Sequence, residues 1–232
     1  MIDWNHIDSV FLDMDGTLLD LRFDNHFWRD FVPKRYAEHH RLEEKSARED
    51  LLNLMQSLQG TLHWYCTDFW SQKLGLDILD LKIQCRDLIR IRPSASAFLR
   101  ELEASHVRVV LVTNAPPETI DLKMEETGIR AHFDRIISSH EFGYPKEDAT
   151  FWHRLRVTEP FTPEKTLFID DNLSVLRAAK EYGIAHLLAV PNPDSGRAPT
   201  STEEFTSLDT FDELTSLLAS VSGTRFLPTR AE

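Results

Sequence analysis

The chain has 232 residues, 41% apolar and 28% charged, which suits a folded domain with a real core and argues against disorder throughout. Lys and Arg number 26 against 38 Asp and Glu, and the resulting net charge of −12 makes nucleic acid polymers and anionic membranes poor partners. No apolar run approaches the ~20 residues of a membrane helix. The start, Met1–His6, carries acid instead of a basic n-region and runs into no signal-like apolar stretch. Cys66 and Cys85 make no CxxC and no disulfide framework, so the expected location is a reducing cytoplasm.

In chain order, a first strand is predicted over Ser9–Asp13. The stretch 22–92 then shows no convincing strand but four helical patterns, at 24–40, 43–59, 61–74 and 78–90. It reads as a helical insertion after the first strand, too long for an ordinary connection. Pro93-Ser94 marks the return, followed by a helix over Ser94–Ala104. Strands are predicted at Val107–Thr113, Asp134–Ser138, Thr166–Asp170 and Ala185–Val190, separated by helices at Glu118–Thr127, Glu147–Val157 and Leu173–Tyr182. The strand runs hardly alternate, as expected for parallel strands buried on both faces, and strand–helix alternation is the signature of a doubly wound α/β sheet. Gly128 and Gly183 stand where helices end, and Asn172 stands as an N-cap. A last helix spans about Thr210–Val221, with Thr210 and Glu213 as a capping box, before a frayed tail at 222–232. The division is an α/β core of 1–21 and 93–221 around an insertion of 22–92.

The strongest chemical signal is Phe11-Leu12-Asp13-Met14-Asp15-Gly16-Thr17, which delivers two carboxylates to the C-terminal end of a strand. Ligands bind at that end in open α/β sheets. Two anions so close are costly unless a cation separates them or one takes a proton. The second strand ends in Thr113-Asn114, the fourth in Asp170-Asp171-Asn172, and the loop Phe142–Lys146 can return a lysine to the same edge. Any one of these elements has a bland explanation as cap, turn or surface residue; four in order do not.

Together they resemble the four motifs of the haloacid dehalogenase superfamily, over Ser9–Asn172 directly and through the sheet to about Val190. The resemblance implies a Rossmann-like parallel sheet flanked by helices, with the all-helical insertion as a cap over the site. It implies Asp13 as nucleophile and Asp15 as general acid/base. Thr113 and Asn114 would bind the phosphoryl group, Lys146 would neutralise it, and Mg²⁺ would be held by Asp13, Asp15 and Asp171 with Asp170 in support. Dehalogenases of the superfamily lack an aspartate at the position of Asp15, so its presence points to phosphoryl chemistry. Mg²⁺ takes six oxygens in octahedral geometry, and the Asp13 carboxylate, the Asp15 carbonyl, Asp171, phosphate and waters suffice.

A closer resemblance, to the bacterial GMP/IMP 5′-nucleotidases of this superfamily, rests on Asp20–Trp28, His63–Cys66, Phe142–Asp148 and Asn192–Gly196. It implies a purine nucleoside 5′-monophosphate as substrate. Asp24 and Asn25 are the candidates for reading polar edges of the substrate. Trp28, Trp64 and Trp70 offer stacking faces, although the i, i+4 pairs Phe27/Phe31 and Tyr65/Phe69 read as packing between helices. The alternatives are a sugar-phosphate or phosphoglycolate phosphatase, a phosphomutase, and, from another class, a catalytically silent phosphate-ligand binding protein.

Overall fold

The computed structural model describes residues 2–222; the expected tail lies, from 223 on, outside the described residues. Six parallel strands, β1 Ser9–Leu12, β2 Arg108–Thr113, β3 Arg135–Ser138, β4 Thr166–Asp170, β5 His186–Ala189 and β6 Thr206–Ser207, form one sheet in the order β3-β2-β1-β4-β5-β6. Between β1 and β2 run α1 Arg22–His26, α2 Val32–His40, α3 Glu44–Leu58, α4 Leu62–Tyr65, α5 Thr67–Leu74, α6 Ile78–Gln84 and α7 Ala95–Glu103. Later come α8 Pro117–Thr127, α9 Ala149–Thr158, α10 Leu173–Tyr182 and α11 Phe211–Ser222.

The sheet is a two-sided core because neighbouring strand residues face opposite ways. Val10, Leu12, Val109, Leu111, Leu167 and Ile169 pack with Phe98 and Leu102 of α7 and Phe211 and Leu214 of α11. Phe11, Val110, Val112 and Phe168 pack with Phe151, Trp152 and Leu155 of α9 and Val175 and Leu176 of α10. Every one of these residues is buried, which explains why the strands read as continuous apolar runs.

Four expectations are corrected. The first strand ends at Leu12, although the Asp13 amide still donates to Ile169 O at 3.0 Å. The predicted helix 24–40 is broken by a π turn over Phe27–Phe31. Pro33 follows at the second position of α2; it lacks an N–H and its ring crowds the carbonyl four residues back, so the ladder widens. The pattern 61–74 divides at Cys66, whose backbone is extended and whose Sγ accepts from Phe69 N. The pattern 78–90 stops at Gln84, with a 3₁₀ turn over Arg86–Leu88. At the last helix Thr210 accepts the Asp212 amide at 3.3 Å. The two-residue strand β6 left no periodic trace in the sequence. Gly128 and Gly183 do end α8 and α10 in left-handed conformation, and Asn172 caps α10 through Ser174 N.

The chain leaves the sheet region and returns to it along adjacent paths. Leu19 pairs with Ile91 in an antiparallel bridge, Asp20 N donates to Arg90 O and Arg92 N to Leu18 O, each at 2.9 Å. The segment 192–195 clasps this crossing, because Pro193 O accepts from Leu21 N, Asn192 O from Arg92, and Asp20 Oδ1 from Ser195 N. Residues of α1, α3, α4 and α6 share one cavity with the C-terminal ends of β1, β2 and β4. Among the described residues no helix is long and apolar enough to cross a membrane.

Candidate active site

Parallel pairing brings the ends of β1, β2 and β4 to one edge, with β1 between the other two. Asp13 follows β1, Thr113 closes β2, Asp170 closes β4 and Asp171 follows it. The loop before α9 brings Lys146 back to that edge. Its Nζ donates to Asp13 Oδ1 at 2.5 Å, Asp170 Oδ2 at 2.7 Å and Val112 O at 3.1 Å, so all three protons of the ammonium are engaged. The lysine is fixed from behind: its amide donates to Asn114 Oδ1, and its carbonyl accepts from the indole of Trp152.

Burial sets the charge state of this corner. It pushes the Asp13 carboxyl up to about 7, against the opposing pull of Lys146. It likewise raises Asp170, and it raises Asp171 well above its ordinary value with Asp170 and Asp13 adding to the effect. Burial would lower Lys146, but Asp13 and Asp170 outweigh it and hold the ammonium above its ordinary value. Asp13, Asp170 and Asp171 each present an oxygen within 4.8 Å of the others. Three carboxylates crowded into a buried corner are costly unless a cation offsets them, and an all-oxygen donor set fits a hard divalent cation such as Mg²⁺. Both oxygens of Asp170 already accept, from Lys146 and from Asn172 N, which leaves Asp13 and Asp171 to face a cation.

The carboxylate of Asp15 stands apart from that triad. Lys123 of α8, only 1% exposed, donates to Asp15 Oδ1 at 2.6 Å and to Asp24 Oδ2 of α1 at 2.7 Å. Burial alone would lower Lys123; the two carboxylates reverse the effect and raise it. Asp15 itself is lifted by desolvation to about 6, with Lys123 opposing.

The other expected residues take definite places. Thr113 accepts from Ala115 N at 3.1 Å and lines the cavity. Asn114 braces Lys146 with its oxygen and donates to Glu147 Oε2 at 2.9 Å. Asp24 is held by Lys123, and the Asn25 amide donates to Asp194 Oδ2 at 2.7 Å, although both residues still line the cavity. That cavity, about 600 Å³, runs from Asp13, Thr113 and Lys146 to Trp28, Met55 and Trp64 of the helical layer.

Three residues of the site were not singled out from sequence. Lys123 and Lys82 lie on the buried faces of α8 and α6, at i+3 from Ile120 and i+4 from Ile78. A lysine at an apolar-face position was the available signal. Glu147, next to Lys146, accepts from Tyr65 of α4 at 2.8 Å and so ties the helical layer to the sheet edge. Burial, then Glu147, raises the Tyr65 phenol well above its ordinary value.

The comparisons with known proteins agree with this geometry. The model of the haloacid dehalogenase-like hydrolases matches residues 7–183. The chain is 42% identical over 213 residues to the GMP/IMP nucleotidase YrfG of Escherichia coli (strain K12), covering 92% of this chain and 96% of that protein. Its fold superposes on a HAD phosphatase from Thermococcus onnurineus with a TM-score of 0.75 at 21% identity, over 91% of this chain and 98% of the other. The L-2-haloacid dehalogenase of Xanthobacter autotrophicus has the same fold, with a TM-score of 0.64 at 18% identity over 92% and 98% of the two chains. The chain therefore belongs to the haloacid dehalogenase-like hydrolases, and it is a hydrolase of the phosphoric monoester kind.

Proposed function

We propose that the protein hydrolyses purine nucleoside 5′-monophosphates, IMP and GMP foremost, through an aspartyl-phosphate formed on Asp13. The observation that carries the reading is the continuity of one cavity from the Asp13–Lys146 corner to an aromatic wall in the helical layer. Its volume falls within the range of small-molecule sites. The name of the Escherichia coli relative supports the same substrate class.

Asp13 Oδ attacks phosphorus while the bond from phosphorus to the leaving alcohol oxygen breaks. Lys146 and Thr113 address phosphoryl oxygens, the first as a cation already fixed by Trp152 and Asn114. Lys123 holds Oδ1 of Asp15, which orients Oδ2 as the proton carrier. A carboxyl lifted to about 6 is suited to both halves of the cycle: it protonates the departing oxygen, then takes a proton from the water that cleaves the aspartyl-phosphate. Asp13 and Asp171, the carbonyl of Asp15 and Asp170 in support are the residues that would hold Mg²⁺, which supplies neutralisation of the phosphoryl oxygens.

The test is phosphate release from a panel of monoesters with Mg²⁺ present. The expected order places IMP and GMP above CMP, UMP, phosphoglycolate and free sugar phosphates. Pyrimidine nucleotides or phosphoglycolate turned over as well as IMP would end the nucleotidase reading and leave the phosphatase one.

A further inference from the structure

The catalytic corner addresses only atoms common to every phosphate monoester, so any choice among substrates is made in the helical layer. Lys82 stands there. It is 4% exposed, lines the cavity, and hydrogen-bonds a single protein acceptor, Thr119 Oγ1 at 3.0 Å. Among the described residues no carboxylate oxygen lies within 4.0 Å of it. An ammonium has three protons to place, and burying it with one partner is expensive. The other two large groups around it are the rings of Phe27 and Trp28, with centres 5.7 and 5.8 Å from Nζ. Lys82 is thus a donor held at an aromatic wall with bonding capacity unspent.

The charges nearby decide what it can take. Lys82 and Lys123 stand close to Asp15, Asp24 and Glu118, so that two cations face three carboxylates. The group has no surplus positive charge with which to hold a second anion, such as the carboxylate of a phosphorylated acid. A neutral oxygen acceptor fits instead. Burial, with Lys123 adding to it, pushes Lys82 down to about 8, so the protonated form still dominates at neutral pH. Trp28, which lines the cavity beside it, favours an acceptor at the edge of a flat ring over one on a sugar.

We propose that Lys82 is a specificity-determining residue that donates to the 6-oxo oxygen of the purine base. This deepens, and rests on, the nucleotidase reading. It explains discrimination between bases of one shape: adenine carries an amino donor where hypoxanthine carries the oxygen, and a donor facing a donor leaves both unpaired.

The experiment compares kcat/KM for IMP, AMP, 2′-deoxy-IMP and p-nitrophenyl phosphate in the full chain with Mg²⁺, for wild type, Lys82→Met and Lys82→Arg. Wild type is expected to prefer IMP to AMP. In Lys82→Met the ratio of IMP to p-nitrophenyl phosphate should fall about ten- to a hundredfold, mostly through KM, and the IMP-to-AMP preference should collapse. Lys82→Arg, which keeps donors, should recover part of that preference, and 2′-deoxy-IMP should follow IMP throughout. A variant damaged in its fold loses both esters together, so equal loss on IMP and p-nitrophenyl phosphate overturns the proposal. So does an IMP-to-AMP preference that survives in Lys82→Met, in which case the nucleotidase reading stands alone. If wild type handles 2′-deoxy-IMP as poorly as Lys82→Met handles IMP, the acceptor is a ribose hydroxyl and the assignment to the base is overturned. A wild-type enzyme without preference for IMP over the other monoesters removes the nucleotidase reading and this inference with it.

Discussion

Gly16 and Asp171 approach so closely that a β-carbon at position 16 would stand 2.6 Å from the Asp171 carboxylate. Gly16 also has φ of +86°, a conformation that L side chains rarely adopt. Gly16→Ala is therefore expected to disturb two things at once: backbone strain of about 1–2 kcal/mol, and displacement of the carboxylate that faces the cation site. Turnover should fall by more than stability does, and the stabilisation gained on adding Mg²⁺ in a thermal melt should shrink. Unchanged Mg²⁺ stabilisation in Gly16→Ala would detach Asp171 from the metal.

Asp13→Asn should abolish turnover by several orders of magnitude while the fold persists, since the amide nearly matches the carboxylate in shape and is a poor nucleophile. Asp15→Asn should be severe as well, because neither protonation of the leaving oxygen nor activation of water survives. Single-turnover kinetics that follow alcohol and phosphate separately distinguish the two: with Asp15→Asn, alcohol released ahead of phosphate reports attack by Asp13. Wild-type turnover in a sequence-verified Asp13→Asn protein would remove Asp13 from the mechanism.

Chelation should extinguish activity, and Mg²⁺ should restore it, with Ca²⁺ a poor replacement. Calcium prefers longer bonds and more ligands, which would misplace a phosphate relative to Asp13. Full turnover after rigorous EDTA treatment and gel filtration counts against any metal role.

The raised Asp13 carboxyl gives stability a pH dependence of known sign. An acid whose folded value lies at about 7 against 3.8 unfolded binds its proton more tightly when folded. Its contribution is complete below 3.8 and is lost as pH rises through about 7. The metal-free protein should therefore melt at a lower temperature on the alkaline side of that window, and the decline should be shallower in Asp13→Asn. Mg²⁺ should offset the alkaline loss by favouring the ionised carboxylates. Parallel pH profiles for the melting temperatures of wild type and Asp13→Asn would contradict the raised value.

What could be read from sequence, and what could not, follows from how each residue makes its contacts. Asp13, Thr113 and Asp170 were legible because the apolar runs before them can only be strands buried on both faces, and parallel strands share an edge. Lys146 was legible through its place in a loop after the third strand. Lys82 and Lys123 were not, because a helical lysine is ordinarily solvated and sequence carries no measure of depth. The partner of Asn25 is Asp194, 169 residues away, a pairing that sequence proximity does not show, while Asn25 still lines the cavity. The π turn over Phe27–Phe31 was hidden because its residues keep a helical apolar spacing, with Pro33 the only local trace of the disturbance.

The paired crossing at Leu19 and Ile91 has a mechanical meaning for the two aspartates that begin the site. Asp13 is anchored to the sheet, through Ile169 O on its amide and Lys146 on its carboxylate. Asp15 pairs in a bridge with Leu19, the same residue that meets Ile91, and its carboxylate shares Lys123 with Asp24 of the first inserted helix. Within two residues of chain the site thus passes from a carboxylate tied to the sheet, Asp13, to one linked through Lys123 to the inserted helices, Asp15. The hold on Asp15 therefore depends on Asp24 of the inserted helices, whereas the hold on Asp13 comes from the sheet and Lys146 alone.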